Sequence, residues 1–88
     1  MTSWAEQVNV HIRLGSSIAA RNVQSRLTVK VESGSTMREV AQELVRLYPA
    51  LQYPLETAIV TVNGQVVDKD HTAAADDSVA FLAPVAGG

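Results

Sequence analysis

The chain of 88 residues contains no cysteine. This absence excludes disulfide bonds, thiolate nucleophiles, iron–sulfur clusters and every cysteine-containing zinc site. The domain must therefore be stabilised by packing alone, which is compatible with a reducing compartment, and we expect a cytoplasmic protein.

An excess of positive charge and long apolar runs are also missing. Seven lysines and arginines stand against nine aspartates and glutamates, which gives a net charge of −2. Because no bulk basic face is available to neutralise phosphates, we expect no nucleic-acid partner. No stretch approaches the roughly 18 consecutive apolar residues of a membrane span. The first seven residues lack the basic start and apolar run of a signal peptide, so we expect no membrane association.

Groups that commonly carry catalysis are few and scattered. His11 and His71 lie far apart in the sequence, and neither has a metal-ligating residue two, three or four positions after it. Ser16 and Ser17 have no paired base, and the acidic stretch 68–77 lacks the glycine and glutamate positions of a calcium loop. The glycines form no phosphate-binding loop. We therefore expect no bound metal or cofactor, and no enzyme activity of the chain on its own.

What is present is a globular composition, with 47% hydrophobic residues, and enough length for one domain. Apolar and polar residues alternate over 8–14 and 26–31, which predicts two adjacent antiparallel strands with their apolar side chains inward. The stretch 18–25 is predicted to be the connection between them.

The middle of the chain predicts one main helix. Thr36 and Glu39 form a capping box, and the apolar residues that follow recur at spacings of three and four. Pro49 is expected to end this helix, because proline disfavours helical geometry at the preceding residue. The stretch 51–57 is predicted to be a connection.

The second half predicts another hairpin and a last strand. Strands at 58–62 and 65–67 flank Asn63-Gly64, a dipeptide typical of a type I′ turn. A polar loop follows over 68–77, in which Thr72 and the three alanines after it are expected to form a helical turn. The last strand is predicted at 78–82. Its inward residues are expected to be Val79 and Phe81.

This order of elements predicts an α+β fold, in which one main helix packs across a mixed sheet of four to five strands. After the helix, the chain can rejoin the sheet with the shortest connections if the last strand pairs beside the first. This arrangement is the β-grasp (ubiquitin-like) architecture. The predicted domain covers residues 8–82, with an N-terminal extension at 1–7 and a C-terminal tail at 83–88.

The tail, Ala83-Pro84-Val85-Ala86-Gly87-Gly88, has no charged side chain. Pro84 holds its base extended, and Gly87-Gly88 allows the backbone to enter a channel too narrow for side chains. A frayed terminus is the ordinary alternative. We expect a thin arm that delivers a carboxylate into the active site of another protein.

Residues 8–88 resemble the ubiquitin-like sulfur carriers of the MoaD/ThiS group, and most of all the small subunit of molybdopterin synthase. The segment from Asp77 to Gly88 is similar to an ending of the form VAFxPPVxGG, and Asn63 follows a short apolar strand as in that family. The sequence departs from the pattern at Ala83, which replaces the first proline, and at Asp76, near a position where glycine is common.

The resemblance implies a function at the last residue. The Gly88 carboxyl would be adenylylated by an ATP-dependent, E1-like adenylyltransferase and then converted into a thiocarboxylate by a persulfide sulfur. ATP would be used by that partner and not bound by this chain. The sulfur would be donated in molybdenum cofactor biosynthesis, in a heterotetramer with the large subunit of molybdopterin synthase.

Three alternatives stay open at this point. Carriers for thiamine, cysteine or thiolated tRNA synthesis share the Gly-Gly ending. A ubiquitin-like modifier would instead form an amide between Gly88 and a target lysine. The third alternative is a plain interaction domain with an incidental tail.

Alternation along the last strand also predicts a partner surface. Ala80 and Leu82 should lie on the sheet face away from the helix, beside Ile59 or Thr61 of a neighbouring strand. An apolar patch next to the tail is a plausible docking site. Aliphatic side chains scattered over an ordinary surface are the alternative.

Overall fold

The computed structural model describes residues 6–19 and 24–84. It contains five strands and two α-helices, with a short 3₁₀ turn between the helices. In chain order they are β1 (Gln7–Leu14), β2 (Arg26–Glu32), α1 (Met37–Leu47), the 3₁₀ turn (Pro49–Leu51), α2 (Gln52–Glu56), β3 (Ile59–Val62), β4 (Gln65–Val67) and β5 (Ser78–Leu82).

The five strands form one mixed sheet in the order β2-β1-β5-β3-β4. β1 and β5 are parallel, and the other neighbouring strands are antiparallel. The last strand therefore pairs beside the first, and α1 packs across one face of the sheet. This arrangement confirms the predicted β-grasp fold. None of the helices in the described ranges is long and apolar enough to cross a membrane.

The core lies between α1 and the sheet. Residues along β1 alternate between exposed polar and buried apolar side chains as predicted, and Val79 and Phe81 of β5 are almost fully buried. Leu27 of β2 is buried only in part. Ile18, predicted to lie in a connection, is a core residue, because the backbone turns back at Gly15 and the Gly15 carbonyl accepts from the amides of Ile18 and Ala19.

Helix α1 begins with the predicted capping box. The Thr36 hydroxyl accepts from the amide of Glu39 at 3.2 Å, and the Glu39 carboxylate accepts from the amide of Thr36 at 2.9 Å. Both bonds satisfy backbone donors that a helix start leaves open. In the last two turns the Arg46 guanidinium donates to Glu43, and this hydrogen bond lowers the pKa of the Glu43 carboxyl.

Pro49 ends α1 as predicted, but the prediction of a plain connection over 51–57 is wrong. The chain forms the 3₁₀ turn and then α2. Pro54 is tolerated because it lies in the first turn of α2, where backbone amides have no intrahelical partner. Leu51 and Leu55 are buried, which holds the segment against the core.

The predicted helical turn at Thr72 and the alanines is also wrong. Thr72 forms an isolated antiparallel bridge with Thr36, and the chain then makes a turn in which the amide of Asp77 donates to the carbonyl of Ala74 at 3.2 Å. The amide of Ala73 donates to the carbonyl of Ser35 at 2.7 Å, and the carbonyl of Ala73 accepts from Gly34. Pairing with the loop before α1 satisfies this backbone and buries Ala73, which a helical turn would not achieve.

Candidate functional site

The three residues predicted as a partner surface lie together on the sheet face away from α1. Ile59 of β3 pairs directly with Leu82 of β5, and Thr61 pairs with Ala80. Ile59, the first residue of β3, and Leu82, the last of β5, are 37% and 38% exposed, while Ala80 is half-buried. We call Ile59, Ala80 and Leu82 the apolar patch. Thr61 also faces outward beside it.

The apolar patch lies at the point where the chain leaves the sheet. β5 is held on both sides, by β1 and by β3, and the amide of Gly15 donates to the carbonyl of Phe81 at 2.9 Å. The strand ends at Leu82, and Ala83 and Pro84 are exposed. The remaining predicted tail residues, Val85, Ala86, Gly87 and Gly88, lie outside the described residues, so their role stays a prediction.

The start of β5 is fixed by a polar cluster. Asn63 donates from its side-chain amide to Oδ1 of Asp77 at 3.1 Å and accepts from the amide of Ser78 at 3.0 Å. The other carboxylate oxygen of Asp77 accepts from the amide of Ala74 at 2.8 Å. Asp77 is 9% exposed, so its carboxylate is satisfied almost entirely by the protein. The cluster ties the β3–β4 turn to the strand that carries the tail.

The β3–β4 turn and the loop before β5 both use left-handed backbone. Asn63 and Gly64 have φ of 52° and 87°, as the predicted type I′ turn requires. Asp76 has φ of 62°, at the place where the resemblance indicates a common glycine. Aspartate is among the few other residues that adopt this conformation. The Asp76 carboxylate contacts Nε2 of His11 at 3.3 Å, and both side chains are exposed.

The sheet face also carries a feature that sequence reasoning missed. Arg13 of β1 and Arg26 of β2 are directly paired, and Arg13 is paired on its other side with Ala80. Alternation along each strand indicates that both arginines face outward, but the register between strands is not visible in the sequence. The structure thus places two guanidinium groups beside the apolar patch. We call Arg13 and Arg26 the arginine pair.

The described part of the chain offers little for catalysis. Over residues 6–19 and 24–84, no group of three histidine, aspartate or glutamate side chains comes together in a way that could hold a metal ion. The pKa shifts resolved there belong to the surface pair of Glu43 and Arg46. The feature of this face that suits contact with another protein is the exposed apolar patch.

Comparison with known proteins gives matches of two kinds. The sequence pattern of the ThiS family matches residues 19–88. By direct sequence comparison, none of the curated proteins matches the chain. Solved structures that share the fold include the small archaeal modifier protein 1 of H. volcanii, with a TM-score of 0.80 and 22% identity over 89% of this chain and 99% of that one.

Two further structures come from molybdopterin-converting factors. A putative subunit 1 from Pyrococcus furiosus has a TM-score of 0.76 and 17% identity over 89% of this chain and 99% of that one. A complex of subunits 1 and 2 from Helicobacter pylori has a TM-score of 0.67 and 18% identity over 92% of this chain and 100% of the matched one. At these identities the likeness is one of fold, whereas the family pattern covers most of the sequence. The chain therefore belongs to the ThiS family of ubiquitin-like sulfur carriers.

Proposed function

We propose that this chain carries sulfur as a thiocarboxylate on Gly88 and donates it in molybdenum cofactor biosynthesis. One observation carries the proposal: the apolar patch includes the last residue of β5, so a protein that docks there lies beside the exit of the tail. Gly88 is four residues beyond Pro84, and an extended chain of four residues spans at most about 14 Å. A docked partner with an active site within that distance could receive the tail.

The proposed chemistry takes place on the partner. A carboxylate oxygen of Gly88 attacks the α-phosphorus of ATP, and pyrophosphate leaves, which produces an acyl adenylate. The outer sulfur of a persulfide then attacks the acyl carbon and displaces AMP, which gives an acyl disulfide. A thiol attacks the sulfur of the donor, breaks the sulfur–sulfur bond and forms a disulfide with the donor, and the thiocarboxylate is released. The chain acts as a non-catalytic carrier and binds no cofactor, while an E1-like adenylyltransferase uses the ATP. This division is consistent with a chain that has no cysteine.

The large subunit of molybdopterin synthase is our leading choice for the acceptor of the sulfur. The subunit 1 of the Helicobacter pylori complex shares this fold and is bound there to subunit 2 of the same factor. The same tail could serve another sulfur-accepting synthase or a target lysine. The docked partner decides between these, because the tail itself has no side chain at its last two positions that could select one.

The decisive experiment is intact mass spectrometry of the chain after incubation with its adenylyltransferase, ATP and a persulfide donor. We expect an increase equal to the exchange of one oxygen for sulfur, located at Gly88. Addition of the synthase large subunit and its pterin substrate should then return the original mass. An unchanged mass in the first step would overturn the proposal. A C-terminal remnant of this chain on lysines of cellular proteins, without any thiocarboxylate, would favour the modifier.

Deletion of Gly87 and Gly88 should abolish this mass change and leave the fold intact, because the described sheet and core end before these residues. The measurement is the same mass assay, with circular dichroism and urea unfolding as controls for folding. Full activity of the shortened chain in cells would instead support the interaction domain with an incidental tail.

Substitution of Leu82 by aspartate should weaken binding to the adenylyltransferase at least tenfold, since a carboxylate would have to lose water in an apolar interface. Leu47→Asp is a matched control, because Leu47 is 46% exposed and lies at the end of α1, away from the patch. Titration calorimetry should show near-normal affinity for this control. Equal affinity of Leu82→Asp and the unmodified chain would exclude the apolar patch as the docking site.

A further inference from the structure

The arginine pair lies in one row that runs across the sheet. Each residue of this row is in register with the next across neighbouring strands. From the β2 edge, the outward residues are Arg26, Arg13, Ala80, Thr61 and Val66. The row passes through the apolar patch at Ala80. Leu82, the last residue of β5, lies two positions further along the same strand. Arg13 is therefore the direct neighbour of Ala80 in the apolar patch, and Arg26 lies one strand further from it.

No acidic side chain of this chain forms an ion pair with Arg13 or Arg26 in the described residues. All nine acidic side chains of the sequence lie within those residues. Lys30 lies on the same face of β2 as Arg26. It also forms no ion pair with an acidic side chain in the described residues.

The cations on the opposite side of the molecule behave differently. Arg38 pairs with Asp70 at 3.0 Å, Arg46 pairs with Glu43 at 2.6 Å, and the Lys69 ammonium donates to a backbone carbonyl. Cations near α1 are thus engaged within the molecule, whereas those on the sheet face are left available. Within the described residues, the cations of the sheet face stay without acidic partners although acidic side chains outnumber basic ones in the chain.

The direct pairing of two arginines does not help the fold. Like charges opposite one another in an antiparallel pair destabilise the sheet. A glutamate at either position would instead give a cross-strand ion pair at no cost in space. A bound anion would remove the repulsion, and carboxylates match the planar donor arrangement of guanidinium groups well.

We propose that the arginine pair binds a carboxylate-rich segment of the protein that adenylylates Gly88, next to an apolar side chain of that segment seated on the apolar patch. The identity of this partner rests on the proposed function; the preference for carboxylates rests on the arginine pair itself. Charge would thereby orient the partner so that its active site faces the tail, while the patch supplies the dry centre of the contact.

The first test compares two double variants with the same change in net charge. Arg13→Gln/Arg26→Gln should weaken binding to the adenylyltransferase at least tenfold and reduce the dependence of affinity on salt. Arg38→Gln/Arg46→Gln, on the side of α1, should change the affinity by no more than about twofold. Equal weakening by both would show that only overall charge matters, and no weakening by either would equally overturn the proposal.

A second variant separates binding from folding. Arg26→Glu should leave the midpoint of urea unfolding unchanged or raise it, because it converts a repulsive pair into an attractive one with Arg13. The same variant should weaken binding at least tenfold. A lower midpoint together with weaker binding would assign the arginine a structural role and overturn the proposal, as would normal binding.

A third measurement needs no partner protein. In the full ¹⁵N-labelled chain, titration with hexaglutamate should shift the side-chain signals of Arg13 and Arg26 and the amide of Ala80, and hexalysine should not. Equal shifts at Arg38 and Arg46 would contradict the assignment. If hexaglutamate binds here but Gly88 is never thiocarboxylated, the proposed function fails alone. If Gly88 is thiocarboxylated equally well in the unmodified chain and in both double variants, the role of the arginine pair is wrong and the proposed function stands.

Discussion

Substitution of Phe81 by alanine is expected to lower the free energy of unfolding by about 3–5 kcal/mol. Phe81 is 1% exposed and is the largest fully buried side chain in the described core. It lies on β5, between β1 and β3, so its loss leaves a cavity at the centre of the sheet where neighbouring strands cannot move in. A domain of this size has about 4–13 kcal/mol of stability in total.

The measurement is urea unfolding followed by circular dichroism, with Leu82→Ala as the control. Leu82 is the next residue of the same strand but is 38% exposed, so its truncation should cost about 1 kcal/mol or less. If both variants lost a similar free energy of unfolding, the inward side chains of β5 would not be the ones that stabilise the fold. The outward side chains would then not be free for binding.

The second large effect is expected at Asp77. Its two carboxylate oxygens accept from the side chain of Asn63 and from the amide of Ala74, and it is almost fully buried. Asp77→Asn keeps the shape but turns one oxygen into a donor that must face another donor. We expect the free energy of unfolding to fall by ~2 kcal/mol, the usual value for a hydrogen bond to a charged group.

Asp76→Asn is the matched control, one residue earlier. Asp76 is exposed, and asparagine also adopts its left-handed backbone, so this change should stay within about 0.5 kcal/mol. Urea unfolding of both variants makes the comparison. Equal stabilities would mean that the cluster of Asn63 and Asp77 does not fix the start of β5.

The parts of the fold that the sequence predicted are those coded by local patterns. Three such patterns each determine the backbone conformation of a few neighbouring residues. They are the alternation over β1, the capping box of Thr36 and Glu39, and the Asn63-Gly64 turn. Pro54 and the alanines after Thr72 misled the prediction for the same reason. Their local preferences were overridden by burial of Leu55 and by the pairing of Ala73 with Ser35.

The candidate site was predictable only in part. The outward phase of Ile59, Ala80 and Leu82 follows from alternation, and the structure places all three on one face. The arginine pair depends on the register between β1 and β2, which is fixed by core packing and not by the length of the connection between the strands. The burial of Asp77 depends likewise on a contact with Asn63, a residue in another loop.

The position of β5 has a consequence for the timing of folding. The strand at the centre of the sheet is the last one in the sequence, and its partner β1 lies near the beginning. Until β5 is inserted, the β1–β2 and β3–β4 hairpins have no neighbour to join, and closing so long a loop is slow. The row from Arg26 to Thr61 exists only in the finished sheet. A partner that recognises this row would therefore bind only chains whose sheet is complete and would reject nascent and misfolded ones.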